Sequence, residues 1–241
     1  MLVATRAIVL HSFKYSDTSL IVHLYTEQFG RQSCILKGAF SKRAAIKANL
    51  FQPLFLLDIV IYKKENRELN IIKEARIYQS YTSITYSNIK TSIALFLSEI
   101  LYKSLRNESS NQQLFAFLTG SLQLFDIESH NIPDFHVIFM IQLSKYLGFF
   151  PSNNYSEAYS YFDMVNGVFV DYIPSHGRYS EGFLSKQLSK AINVNISGII
   201  SLELDRRTRV QLLQLLVDYY HLHIHGMSDV KSLSILSELF D

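Results

Sequence analysis

The sequence predicts an α+β protein, with a small closed β-barrel at the N-terminal end and a mainly α-helical body that carries a small hairpin-containing subdomain. Three observations predict it. Five short segments with strand-like patterning fall within residues 1–80, with no helical period among them. After residue 85 apolar residues recur at spacings of three and four. Around Asn166-Gly167 a two-residue turn signal sits between two short apolar runs. Of the 241 residues 48% are hydrophobic and 18% charged, which is enough apolar material for a sizeable core.

Thr5 to Phe13 reads as the first strand and runs into the turn-prone Tyr15-Ser16-Asp17. In Ser19 to Thr26, Leu20, Val22 and Leu24 fall on one face and Ile21, His23 and Tyr25 on the other, the period of a half-buried strand. Phe29-Gly30 marks a tight turn into Arg31 to Gly38, a hairpin signal. Leu54 to Tyr62 is the next apolar run, and a polar turn, Lys63 to Glu68, leads into Leu69 to Tyr78. Five strands with polar turns suit a closed barrel of the OB type, which leaves no long free edge. Between the third and fourth strands, Ala39 to Asn49 is rich in small and basic residues and reads as an exposed loop with a helical turn.

Ile89, Ile93, Phe96, Leu97, Ile100, Leu101 and Leu105 predict a helix over 88–106, and Leu114, Leu118, Leu122 and Phe125 a second. Asp134 after Pro133 opens a third, apolar on several faces and therefore central, stopped by Gly148 and Pro151. Tyr161 to Val165, Asn166-Gly167 and Val168 to Tyr172 predict a hairpin with a type I′ turn. Helices follow over 181–192 and 202–224, and a short final one ends near Leu239. The expected division is 1–80, an OB-fold nucleic-acid-binding domain; 81–150, a helical domain; 151–180, a Tyr-rich hairpin subdomain; and 181–241, C-terminal helices packing on the helical domain.

Charge is uneven along the chain. Residues 1–81 hold twelve Lys/Arg and six Asp/Glu, a net of +6, and the rest hold eleven and fifteen, a net of −4. A basic front on a mildly acidic body suits a polyanionic ligand, and also an ordinary solvated surface. The single cysteine, Cys34, allows neither an internal disulfide nor a Cys-based zinc site, and reads as a buried strand residue in a reducing, cytoplasmic setting. The opening segment carries Arg6 and no small-residue cleavage site, so no signal peptide is expected, and no apolar run approaches the ~18 residues of a membrane span.

No phosphate-cradling loop of the P-loop or dinucleotide type is present, and no nucleophile elbow. His221-x-His223-x-His225 is the one cluster with a chemical reading, because residues four apart on a helix share a face as metal-binding histidines do. Its plainer reading is a polar face at a helix C-terminus, where His suits the dipole. The paired carboxylates Glu65 and Glu68 read as solubility charges. The nucleic-acid-binding candidates are Arg6, Lys14, Arg31, Lys37, Lys42, Arg43 and Lys47, because backbone recognition needs cations spaced along a groove. Phe13, Tyr15 and Phe40 lie beside them as rings on which bases could stack, although Phe13 and Phe40 read first as core residues. Lys42-Arg43 is the strongest pair, since two adjacent cations on a loop cannot both serve a core.

Several motifs follow one another along the chain. Thr5 to Leu10, Lys14-Tyr15-Ser16-Asp17-Thr18-Ser19-Leu20 and Thr26 to Gly30 come first. Lys37-Gly38-Ala39 with Lys42-Arg43, and Leu50-Phe51-Gln52-Pro53-Leu54, come next. Leu147-Gly148-Phe149-Phe150-Pro151, Tyr161-Phe162-Asp163 with Asn166-Gly167, and Tyr219-Tyr220-His221 to Ser232 complete the series. These motifs and their order resemble the RecO family of recombination mediators. Many members carry a four-cysteine zinc site after the Leu-Gly-aromatic-x-Pro motif. This chain has no cysteine there, so its hairpin subdomain is expected to hold by apolar packing, without metal or cofactor.

The resemblance implies a non-enzymatic DNA repair and recombination mediator. Such a protein binds single- and double-stranded DNA, anneals strands, and contacts RecR and the acidic C-terminal tail of single-strand-binding protein in loading RecA. Two other readings stand beside it. One is a protein-interaction adaptor working through its helical body, with the barrel merely structural; Lys103, Arg106 and Lys145 on that body are candidates for the acidic tail of the first reading. The other is a metal-dependent hydrolase built on His221 and His225.

Overall fold

The computed structural model describes residues 1–63, 69–129, 132–196 and 202–239, and the chain divides into two compact units, Met1–Asp126 and Ile127–Asp241. The turn expected at Lys63 to Glu68 and the carboxylates Glu65 and Glu68 fall at 64–68, outside the described residues, Lys63 excepted.

In the first unit, β1 (Leu2–Lys14), β2 (Leu20–Thr26), β3 (Gly30–Leu36), β4 (Leu56–Tyr62) and β5 (Leu69–Gln79) close into a barrel in the order β1-β2-β3-β5-β4. This is the OB-type barrel that the sequence predicts. β1 is longer than its apolar run suggests because it serves two partners, pairing with β4 over Leu2–Ile8 and with β2 over Ala7–Lys14. A register shift between Val9 and His11 marks the bend that lets one strand do both. Closure comes from the parallel pairing of β3 with β5. Leu20, Val22 and Leu24 point inward as their alternation requires and pack with Ala7, Val9, Cys34, Leu57, Ile59 and Ile61. Each fully buried aliphatic side chain of this kind contributes about 1.5–3 kcal/mol, so the barrel interior and the buried faces of the following helices both stabilise the unit.

The period changes at α1 (Asn88–Ser104) and α2 (Gln112–Ile127). Ser87 caps α1 by accepting the Lys90 amide. The helix lies against β1, where the Ser98 hydroxyl donates to the Leu10 carbonyl at 2.5 Å. The segment joining barrel to helix is pinned by the buried carboxylate of Asp126, which accepts the amides of Thr82 (2.7 Å), Ser83 (2.9 Å) and Ile84 (3.0 Å) and the Thr82 hydroxyl (2.8 Å). Burial alone would raise the Asp126 pKa, but these donors outweigh it and the net shift is downward. The chain between the two helices presses on the β2–β3 turn. The Arg31 amide donates to Glu108 O (2.9 Å) and the Tyr25 hydroxyl to Ser109 O (3.1 Å). Gly30 sits there with φ +62°, and a Cβ on it would lie 2.4 Å from the Ser109 carbonyl carbon. Only glycine satisfies both the backbone angle and the approach.

The second unit is built on α3 (Phe135–Tyr146), whose Phe135, Val137, Ile138, Phe139, Met140, Ile141 and Leu143 are all buried, as expected for a helix apolar on several faces. With α4 (Gly182–Ile192), α5 (Arg206–His223) and α6 (Ser232–Leu239) it makes up the helices of this unit. α4 and α5 both pack on α3. The Tyr220 hydroxyl donates to Met140 O at 2.6 Å, and the partly buried Arg209 guanidinium pairs with the buried Asp134 at 2.7 Å. α5 begins later than its apolar pattern suggests because Asp205 is a strong N-cap, taking both the amide (2.8 Å) and the hydroxyl (3.0 Å) of Thr208.

A small sheet, β6 (Tyr161–Asp163), β7 (Val168–Val170) and β8 (Tyr179–Ser180), runs in the order β7-β6-β8. The expected hairpin is present, but its turn is not type I′. Asp163 pairs with Val168, leaving a four-residue loop in which only Gly167 (φ +65°) is left-handed. The Asp163 carboxylate sets the geometry by accepting the amides of Val165 (2.8 Å) and Asn166 (3.1 Å) and the Asn166 side chain (2.7 Å). His176 closes on the same carboxylate at 3.1 Å. Apolar packing holds the rest: Phe162 meets Phe169 at 5.0 Å and Tyr219 at 5.6 Å, and Tyr155 meets Phe169 edge-on at 5.4 Å.

Candidate nucleic-acid interface

Five of the seven predicted cations gather at one end of the barrel. Lys14 ends β1. Lys37, Lys42, Arg43 and Lys47 follow on the loop after β3, and all five are exposed. The loop is closed at its base by the Ala48 amide on Ala39 O (3.3 Å) and held to the β1–β2 turn by the Phe40 amide on Thr18 O (3.4 Å). Lys14 lies 5.8 Å from the Phe40 ring centroid, so the turn and the loop form one surface. Lys14 has a loose partner in Asp17 at 3.8 Å, whereas Lys37, Lys42, Arg43 and Lys47 form no ion pair among the described residues. Cations without partners are available to phosphate at no cost in broken pairs.

Arg6 and Arg31 are placed elsewhere and are engaged within the protein. Arg6 forms a two-pronged pair with Glu27 (2.9 and 2.6 Å) and donates to the Tyr78 hydroxyl at 3.2 Å. These bonds raise its pKa, and it lines a cleft of about 560 Å³ with Asp58, Glu74 and Arg76, where positive and negative charges alternate. The Arg31 guanidinium carbon lies 4.6 Å from the Tyr102 ring centroid, and Arg31 donates to Tyr102 O at 3.4 Å. Desolvation pushes its pKa down to about 10, which leaves it charged at neutral pH.

The rings depart from expectation. Phe13 and Phe40 read first as core residues, yet they are 41% and 44% exposed, and Tyr15 is 63% exposed. Beyond the bend at Val9–His11, the outward register of β1 presents His11 and Phe13 to solvent, and β2 places His23 opposite His11. Tyr102 of α1 covers the inner side of this group, 4.8 Å from the His11 ring and 5.3 Å from His23. Phe13 lies 5.9 Å from His11 and 6.0 Å from His23. Burial first, and then the charge of Arg31, pushes the His23 pKa down to about 4 and lowers that of His11, so both rings are neutral at physiological pH. His11, His23 and Tyr102 were not legible as a group. The strand alternation carried His23, but the bend in β1 and the docking of α1 lie outside any local pattern.

His221, His223 and His225 do not form a ligand set. α5 ends at His223, so His225 leaves the helical face that the spacing implied. The His223 ring stacks on Phe149 at 5.1 Å and bonds to Met164 O at 2.9 Å, while His221 lies 3.3 Å from Ser228 O. Among the described residues no group of three or more His, Cys, Asp or Glu is positioned to hold a metal ion. Of the candidate partner contacts, Lys103 pairs with Glu99 at 3.2 Å, and Arg106 and Lys145 are exposed. No described helix is long and apolar enough to cross a membrane.

A closed five-stranded barrel of this topology, followed by helices, defines an OB-fold protein, a class whose barrels bind oligonucleotides and oligosaccharides. Residues 1–81 match the family described as Recombination protein O N terminal, and residues 87–233 the family described as Recombination protein O C terminal. Over the full length of both chains, the protein is 38% identical to the DNA repair protein RecO of Bacteroides fragilis, across 242 residues. It is 34% identical across 241 residues to that of Azobacteroides pseudotrichonymphae and 35% across 240 to that of Phocaeicola vulgatus, again over whole chains. The chain belongs to the RecO family of DNA repair proteins.

Proposed function

We propose that this protein is a non-enzymatic recombination mediator that grips single- and double-stranded DNA at the loop end of its barrel. The exposed cationic group of Lys14, Lys37, Lys42, Arg43 and Lys47 carries the reading. Cations on a short loop contact phosphates, which position a strand and carry no sequence information directly, so binding is indifferent to sequence. A surface that neutralises two backbones at once also lowers the repulsion between complementary strands, the physical requirement for annealing. Membership of the family supports contacts with RecR and with the acidic tail of single-strand-binding protein, in helping to load recombinase in the cytoplasm. Arg106, in the turn after α1, and Lys145, on α3, are exposed cations available to such a tail.

Fluorescence polarisation with labelled single- and double-stranded oligonucleotides tests the reading. Lys42→Ala combined with Arg43→Ala is expected to weaken binding to both forms, equally across unrelated sequences. Unchanged affinity in the double variant would remove the loop from the interface.

A further inference from the structure

We propose that the outer face of β1 and β2 beside this loop is a stacking platform for unpaired bases, with His11 and Phe13 as the contact rings and His23 and Tyr102 as their support. The inference rests on the DNA-binding reading above and deepens it. The loop cations would hold any backbone, whereas the rings would select strands whose bases are free.

Four aromatic rings lie within 4.8–6.0 Å of a neighbour on this face. His11 and Phe13 are both exposed, whereas a cluster that only sealed the barrel against α1 would bury them. His23 and Tyr102 are half-buried behind them and fix their positions. Rings already held in place lose little freedom when a base settles on them. Around the cluster stand Arg31 from β3, Glu99 and Tyr102 from α1, and the two histidines themselves. Arg31 over Tyr102 adds a cation beside the rings, and the neutral imidazoles offer flat π-faces. Lys14, the next residue along from Phe13, leaves the opposite face of β1 and reaches Phe40 on the loop, so the rings and the phosphate contacts meet only at the end of that strand. Stacking of this kind accepts any base, but a base inside a duplex has no free face to offer.

The experiment compares wild type, His11→Ala/Phe13→Ala, and Phe13→Trp on three probes: a single-stranded oligothymidylate, an abasic strand of equal length, and a duplex. The chain contains no tryptophan, so the indole introduced by Phe13→Trp reports from this position alone. Wild type is expected to prefer oligothymidylate over the abasic strand by about tenfold or more, the value of one or two stacked bases. The double-alanine variant loses that preference and keeps its duplex affinity, with its fold checked by circular dichroism. The Trp variant keeps the preference, and its fluorescence is quenched by oligothymidylate but not by duplex. Equal wild-type affinity for thymidylate and abasic strands, or an unquenched indole at saturation, overturns the platform while leaving the cationic grip intact. Failure of wild type to bind any of the three probes overturns both.

Discussion

The cationic loop makes a quantitative claim about salt. Each phosphate neutralised on a single strand releases condensed counterions and contributes about −0.7 to the slope of log affinity against log salt concentration. Lys14, Lys37, Lys42, Arg43 and Lys47 are all exposed, and the proposed interface has one strand engage all five. The wild-type slope should therefore be about −3.5, a loss of roughly 100-fold in affinity for a fourfold rise in salt. Removing Lys42 and Arg43 leaves three contacts and a slope of about −2.1, so the same rise costs only roughly 20-fold. The assay is a polarisation titration of a single-stranded oligonucleotide at four or more salt concentrations. A wild-type slope shallower than about −1, or a double variant with unchanged slope, would refute the claim that these side chains contact phosphate.

Two further predictions concern stability. Gly30→Ala forces a left-handed backbone angle on a residue with a Cβ and drives that Cβ into the backbone at Glu108–Ser110, so it should cost more than ~2 kcal/mol by urea denaturation; a loss under ~0.5 kcal/mol would mean the turn and the inter-helix chain are not in contact. Asp126→Ala leaves the amides of Thr82, Ser83 and Ile84 without their acceptor and should cost about 2–3 kcal/mol. Because the folded pKa of Asp126 is depressed, its contribution is complete above the unfolded carboxylate value and is lost as pH falls through the lower folded one. The gap between wild type and variant in thermal melts should thus be widest near neutrality and close in acid; a gap independent of pH would show that the charge is not what matters.

The barrel was legible because its interior depends on alternation, and Leu20, Val22 and Leu24 display that alternation within seven residues. The central position of α3 was legible for a similar reason, since its apolar residues leave no polar face. Pairings across long stretches of chain were not legible. Arg6 meets Glu27 and Tyr78, and Arg31 meets Tyr102, at separations no local pattern encodes. Both therefore looked like free cations. The turn at Asn166-Gly167 was misread because the dipeptide rule ignores the residue that acts on it: the Asp163 carboxylate offers the loop amides a better acceptor than a two-residue turn would. Phe13 and Phe40 leaned toward the core on composition, and only the bend in β1 and the folding back of the loop put them outside.

The aspartate-centred hairpin over 151–180 has a consequence for the conditions under which this protein can work. A region stapled by four thiolates around zinc would depend for its fold on metal supply and on keeping sulfur reduced. Here a carboxylate, an imidazole and four aromatic rings do the stapling, and the chain's one thiol is shut inside the barrel with its pKa pushed up to about 12. A chelator or a peroxide finds no metal–thiolate cluster to dismantle. For a DNA repair protein that is a practical advantage, since oxidants that break DNA also attack zinc-bound cysteines, and this hairpin offers them none.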